Sequence, residues 1–351
     1  MPSQPTNDAE AIEFELRDRS GRLAAVRLIE EIGLPDANEF TRARGGWQLR
    51  IARPDVARME YLFEIEDHNG HRTTITDPGN PRRAGGAFGD KSVLEFDDYR
   101  RPDWLAVEPV PSDEATFEID APGLDGPVEA TVWAPSDLAA GEPAPLLIVH
   151  DGPEYATLAG FTHYLGASIG IGALPPVRAA LLGPGDRNDW YSANPAYATA
   201  LDKHVVAALD EVAAATVRIG VGASLGALAM LHAHRTCPGT FDALMLQSGS
   251  FFTPELDPQE RDFSSFQAVT EFVASITSAQ DDPAPVPATL TCGTVEENRA
   301  NNEAMTAALR RLGYRAELVL VRDAHNYTAW RDALDPNLTR LVAAVAGHRA
   351  A

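Results

Sequence analysis

The segment Gly222-Ala223-Ser224-Leu225-Gly226 is the stretch of this chain best suited to covalent chemistry. A serine with a glycine two residues to either side fits a sharp strand-to-helix turn that projects the hydroxyl outward. The flanking positions need residues without bulky side chains, because strand and helix approach closely there. A β-rich run ends at Val221, and an Ala- and Leu-rich apolar stretch follows from Leu225 to His234. That setting makes Ser224 the expected nucleophile, with a plain Gly-rich turn as the competing reading.

A serine hydroxyl needs a general base within hydrogen-bond reach, and a carboxylate to orient that base. On an α/β-hydrolase scaffold the chain order is Ser, acid, His. Downstream histidines are His232, His234, His325 and His348. The first two fall on the helix that starts at Ser224, and His348 is in the C-terminal tail. His325 follows the last strand candidate, just past Arg322-Asp323-Ala324, and is the expected base. The acid is expected in the loop Gly293-Thr294-Val295-Glu296-Glu297, with Glu296 first, Glu297 second and Asp323 third. An adjacent Glu pair also suits the start of a helix, where the dipole favours carboxylates. An oxyanion hole requires two backbone N–H donors. One is expected from Leu225, and the other from the loop His150-Asp151-Gly152-Pro153-Glu154, at Gly152 or Asp151, since Pro153 has no N–H.

The elements that must carry these residues are legible as apolar runs. They are Pro145–Val149, Val177–Leu182, Val217–Val221, Ala243–Leu246, Ala288–Cys292 and Ala316–Val321, separated by helical stretches such as Tyr197–Ala215 and Arg299–Leu312. Strands buried on both faces and joined by helices give a mostly parallel sheet covered on both sides. Such sheets place reactive groups at the carboxyl ends of their strands. The expectation is an α/β-hydrolase fold over 115–351.

Before residue 110 the pattern differs. Leu23–Ile29, Trp47–Ile51 and Met59–Ile65 alternate like half-buried strands, and Pro/Gly clusters such as Asp77-Pro78-Gly79-Asn80-Pro81 punctuate them. A small all-β, immunoglobulin-like sandwich is expected over 1–110, with a Pro-rich acidic linker at about 101–114.

Composition narrows the function classes. At 351 residues, with 44% hydrophobic and 23% charged residues, two globular domains are expected. The net charge of −22 repels phosphate backbones, so nucleic acid is not an expected partner, and it argues against a membrane surface. No apolar run approaches the roughly 20 residues of a membrane span. Neither a secretory signal nor a disulfide framework is visible, the two cysteines being Cys237 and Cys292, so a cytoplasmic protein is expected. No metal-ligand spacing is present and no cofactor is expected.

Several strings together resemble the esterase D/enterochelin esterase group of α/β hydrolases. They are His150-Asp151-Gly152-Pro153-Glu154-Tyr155, Leu174-Pro175-Pro176-Val177, Arg187, Gly222–Gly226, Gln247-Ser248-Gly249-Ser250-Phe251, Cys292–Asn298, His325 and Trp330. Trp47, Tyr61, Asp77-Pro78 and Asn80-Pro81 resemble that family's N-terminal early-set β-sandwich. Two departures stand out: Ala227 replaces a frequent second glycine, and Arg187-Asn188-Asp189-Trp190 lacks a glutamate common three residues after the arginine. The resemblance implies a small-molecule ester substrate, foremost the ester backbone of a catecholate (ferric) siderophore. Feruloyl or acetylxylan ester cleavage is the alternative, and a catalytically silent binding protein is the alternative of another class. Arg187 is the expected contact for an anionic substrate. Trp190, Tyr191, Phe251, Tyr327 and Trp330 are the expected stacking partners for aromatic rings, against ordinary core packing for each.

Overall fold

The computed structural model describes residues 6–7, 11–34 and 38–347. The chain divides into two compact units. The first is drawn from 1–100, 293–296 and 321–329, and the second from 101–292, 297–320 and 330–351. His348 lies outside the described residues.

The first unit is all-β apart from its two short late segments. One sheet has the order β1 (Thr6–Asn7), β2 (Ala11–Arg17), β5 (Gly46–Ala52), β4 (Thr41–Ala43). The other has the order β3 (Leu23–Glu30), β6 (Arg58–Asp67), β9 (Lys91–Glu95), β8 (Arg83–Ala84), and β7 (Arg72–Ile75) also pairs with β6. All pairings are antiparallel. In β2 and β5 alternate residues point inward, as period-2 patterning requires. Phe14 and Leu49 from one sheet and Leu28, Tyr61 and Phe63 from the other share a single core, which also takes in Ala324. The Tyr61 hydroxyl donates to the Asp77 carboxylate at 2.7 Å, and the Asn80 amide donates to the Val93 carbonyl at 2.7 Å. The Asp77–Pro81 cluster is thus a polar clasp on β6 and β9.

The second unit carries an eight-stranded sheet. Its order is β10 (Ser112–Ile119), β11 (Val128–Pro135), β13 (Arg178–Leu182), β12 (Ala144–Val149), β14 (Ala215–Ala223), β15 (Ala243–Gln247), β16 (Pro287–Gly293), β17 (Arg315–Val321). The run from β13 to β16 is parallel, and β10, β11 and β13 pair antiparallel. Every residue of β12, β13 and β15 is buried, because helices cover the sheet. The crossovers include Phe161–Gly170, Leu225–Thr236, Phe266–Ser278 and Arg299–Arg311.

Two local expectations differ from the structure. The helix read to Ala215 ends at Val212, and β14 begins at Ala215. The Ala-rich run favours helix, but Ala215 pairs with Ala144 in the sheet, and that tertiary pairing prevails. The stretch 101–114 is not a free linker. Trp104 is buried against Tyr164, the Val110 N–H donates to the Gly166 carbonyl, and β10 starts at Ser112. Proline and acid content signal a connector without revealing that one indole anchors it. Among the described residues no helix is long and apolar enough to cross a membrane.

Candidate active site

Ser224 occupies the single residue between β14 and the helix Leu225–Thr236. Its φ of 56° and ψ of −125° place a non-glycine residue in a sparsely populated region, a cost of about 1–3 kcal/mol that the surroundings must hold. The holding is visible. The Ser224 N–H donates to the Gln247 carbonyl at 2.9 Å, and the Ser250 N–H donates to the Ser224 carbonyl at 3.2 Å. A Cβ on Gly222 would stand 2.4 Å from the Gly226 carbonyl oxygen, so that position excludes every larger residue. The Ser224 hydroxyl is half-buried and lies 3.1 Å from the Ser250 hydroxyl.

Val149 of β12 pairs with Val221 of β14, so the loops that follow these strands are neighbours. Gly152 packs so closely on β13 that a Cβ would lie 2.4 Å from the Leu181 backbone. Gly152 opens the helix Gly152–Leu158, and Leu225 opens the helix after Ser224. First-turn amides have no acceptor within their own helix, and at the start of the longer helix the dipole favours negative charge. His150 braces the two loops to each other. A carbonyl can only accept, so the proton sits on Nδ1, which donates to the Gly226 carbonyl at 3.0 Å. Nε2 then accepts from the Tyr197 hydroxyl at 2.8 Å. Burial pushes this imidazole down to about 4, which keeps it neutral as both bonds require.

In the first unit the structure brings Glu296 and His325 together. His325 Nδ1 donates to Glu296 Oε2 at 2.9 Å, and the other carboxylate oxygen accepts the Gly293 N–H at 2.6 Å. The Glu296 side chain is 1% exposed and that of His325 is 33% exposed. A carboxylate on Nδ1 fixes the tautomer and leaves Nε2 as the basic nitrogen. Glu297 is exposed and accepts from Gln259 at 3.3 Å. The Asp323 carboxylate accepts from Arg58, Ala324 and Asn326. Of the three acids read from sequence, the described hydrogen bonds join Glu296 to the His325 ring.

The expected substrate-contact residues are placed differently. Arg187 donates two hydrogen bonds to Asp151, at 2.7 and 2.8 Å, so its charge is matched by a carboxylate. The pair holds Asp151 at φ 50°, directly before Gly152. Trp190 is buried and stacked on Tyr197, and Tyr191 is buried and stacked on His150. Phe251 lies fully buried beneath Gly249, where a Cβ would meet its ring at 2.3 Å. Trp330 is 7% exposed, and its indole N–H donates to the Ser248 hydroxyl at 2.9 Å. For these four aromatics the packing reading describes their positions, because burial of the ring faces leaves little surface for a ligand. Tyr327 is half-buried.

Sequence reading expected His150 to brace its own loop, and gave Ser250 no role of its own. Ser250 follows the carboxyl end of β15, the edge where such sheets place reactive groups, and that rule was the available signal. Among the described residues no three His, Cys, Asp or Glu side chains are grouped to hold a metal ion.

Comparison with known proteins gives a family and a fold. Residues 121–341 match the Esterase family, whose description reads "Putative esterase". No curated protein matches the chain in sequence. The enterobactin esterase FES from Shigella flexneri, solved in the presence of enterobactin, superposes with a TM-score of 0.78 at 19% identity, covering 96% of this chain and 95% of that one. The ferric enterobactin esterase from Salmonella typhimurium gives 0.79 at 19% identity over 96% and 95%. A ferulic acid esterase gives 0.54 at 16% identity, covering 66% of this chain and 99% of that one. At these identities the likeness is one of fold. The family match spans well over half of the chain, and the chain belongs to the esterase family as a carboxylic ester hydrolase.

Proposed function

We propose that this protein is a serine esterase, an immunoglobulin-like sandwich followed in the chain by an α/β-hydrolase domain, acting on the ester backbone of a catecholate siderophore. Ser224 is the nucleophile, His325 its general base, and Glu296 the carboxylate that orients the base. The Ser224 hydroxyl attacks the ester carbonyl while its proton passes to His325 Nε2. The tetrahedral oxyanion is stabilised by the Leu225 and Gly152 amides. The imidazolium then protonates the leaving alcohol, and the ester C–O bond breaks to leave an acyl-serine. Water, deprotonated by the same imidazole, releases the acid and restores the serine.

The observation that carries the chemistry is the φ of 56° at Ser224, at the one residue between β14 and the helix Leu225–Thr236; backbone strain of this kind collects at active sites, and this junction aims the hydroxyl outward. The substrate class rests on extent. The enterobactin esterase structure aligns with 96% of this chain, N-terminal strands included, whereas the ferulic acid esterase aligns with 66%. A feruloyl ester is the second reading, favoured by the near-complete coverage of that shorter enzyme.

The test is hydrolysis of a short-chain nitrophenyl ester and of a trilactone siderophore, with and without iron, by the wild type and by Ser224→Ala. Wild-type turnover that falls by roughly 10⁴-fold or more in the variant is expected. Equal rates in both proteins would overturn the nucleophile. Cleavage of feruloyl esters with no action on the trilactone would replace the substrate class.

A further inference from the structure

We propose that Arg58, a residue of strand β6, is a positioning residue for His325 and sets the rate of ester cleavage through the loop that carries this histidine. The inference rests on the assignment of His325 as base made above.

The segment 321–329 belongs to the same compact unit as residues 1–100. Its fastening is specific. Arg58 Nη1 donates to Asp323 Oδ2 at 2.9 Å and to Asn326 Oδ1 at 3.0 Å, and Nη2 donates to Glu60 Oε1 at 2.6 Å. Asp323 and Asn326 stand on either side of His325 in the chain. They also bond to each other, Asn326 Nδ2 donating to Asp323 Oδ1 at 3.0 Å. Asp323 Oδ1 accepts the Ala324 N–H at 2.7 Å, and Asn326 Oδ1 accepts the Ala329 N–H at 2.9 Å. At the head of the loop the Ala57 N–H donates to the Arg322 carbonyl at 2.7 Å. The backbone entering His325 and the backbone leaving it are therefore tied to one guanidinium.

Energetics make a purely stabilising role a poor explanation. Arg58 is 2% exposed, and Glu60 and Asp323 are almost as deeply buried. Taking such groups out of water costs several kcal/mol per ion, and well-packed apolar residues of similar volume often give equal or better stability. A planar fork with fixed donor directions does what an apolar side chain cannot, which is to set orientation. Burial pushes the Glu60 carboxyl up, and the Asp323 and Glu60 carboxylates hold the Arg58 guanidinium charged against its own burial. What the fork orients is the turn from which the imidazole reaches Glu296. A loop displaced by 1 Å is enough to cost roughly 10²-fold in rate.

The test replaces Arg58 by Met and by Lys in the full chain. Turnover of a nitrophenyl ester is measured as kcat and KM, and the downfield Nδ1 proton of His325 is followed by NMR, assigned with His325→Gln. Arg58→Met is expected to lower kcat roughly 10- to 100-fold with KM within about twofold, and to broaden or remove the downfield resonance. Arg58→Lys is expected to recover part of both. If Arg58→Met does not fold, Arg58→Lys carries the test with the same two readouts, since it keeps the buried charge and loses the planar fork that bonds Asp323, Asn326 and Glu60. A folded variant with wild-type kcat overturns the proposal, as does a lowered kcat with the resonance intact. If His325→Gln itself keeps wild-type kcat, the assignment of the base falls, while the resonance still reports whether Arg58 positions the ring.

Discussion

At the scale of single residues, adjacent glutamates show how identical chemistry separates by environment. Glu296 is buried and has both oxygens engaged, by the His325 ring and by the Gly293 amide, whereas Glu297 is exposed. Glu296→Gln should lower kcat by roughly 10²- to 10⁴-fold, because the amide no longer holds the imidazole in its tautomer or stabilises its charged form. Glu297→Gln should change kcat by less than about twofold. Steady-state kinetics of the two variants with one nitrophenyl ester decides between them. Sequence alone ranked these two acids, and the hydrogen bonds separate them.

At the scale of elements, the turn around Ser224 is a packing device as much as a chemical one. Gly222 faces the Gly226 carbonyl with no room for a Cβ, and the atom it would strike is backbone, which cannot swing aside. Gly222→Ala should destabilise the fold by about 1–3 kcal/mol and reduce activity more than Ala227→Gly does. Thermal melts and initial rates on the two variants check this. The stretch 101–114 teaches the opposite lesson. Its prolines and acids read as a connector, yet Trp104 is fixed against Tyr164 and its backbone turn is part of the second unit. Trp104→Ala should cost about 3–5 kcal/mol, measured by denaturant unfolding. Propensity and composition describe a segment's solubility and stiffness, and neither reports the partner that buries it.

At the scale of the whole molecule, buried histidines set an acid limit on stability. Burial pushes His150 and His232 from the ordinary 6.5 down to about 4, and it lowers His234 as well. Between the unfolded value and the folded one the unfolded chain binds more protons, so stability falls as pH drops from about 6.5 towards 4. The loss approaches about 3 kcal/mol for each of the first two, as an order of magnitude. The melting temperature should therefore fall steadily between pH 7 and pH 4, with a shallower slope in His232→Leu. Calorimetry across that range is the measurement, and a parallel slope in the variant would remove His232 from the account.

The sequence by itself determined the parts that local patterning controls. A parallel sheet joined by helices was legible from apolar runs, because strands buried on both faces must be apolar throughout. The turn at Ser224 was legible because only small residues fit where strand and helix meet. The proposed order serine, glutamate, histidine rests on the turns and loops after β14, β16 and β17, strands that the apolar runs mark. Tertiary structure alone decided what depends on side chains far apart in the chain. Arg58 meets Asp323 across 265 residues, a separation that no window of sequence spans. Arg187 turned out to neutralise Asp151, and Trp190, Tyr191, Phe251 and Trp330 turned out to be buried. An arginine or an aromatic ring has the same local signature whether it faces a ligand or the core, and only the three-dimensional packing around it determines which.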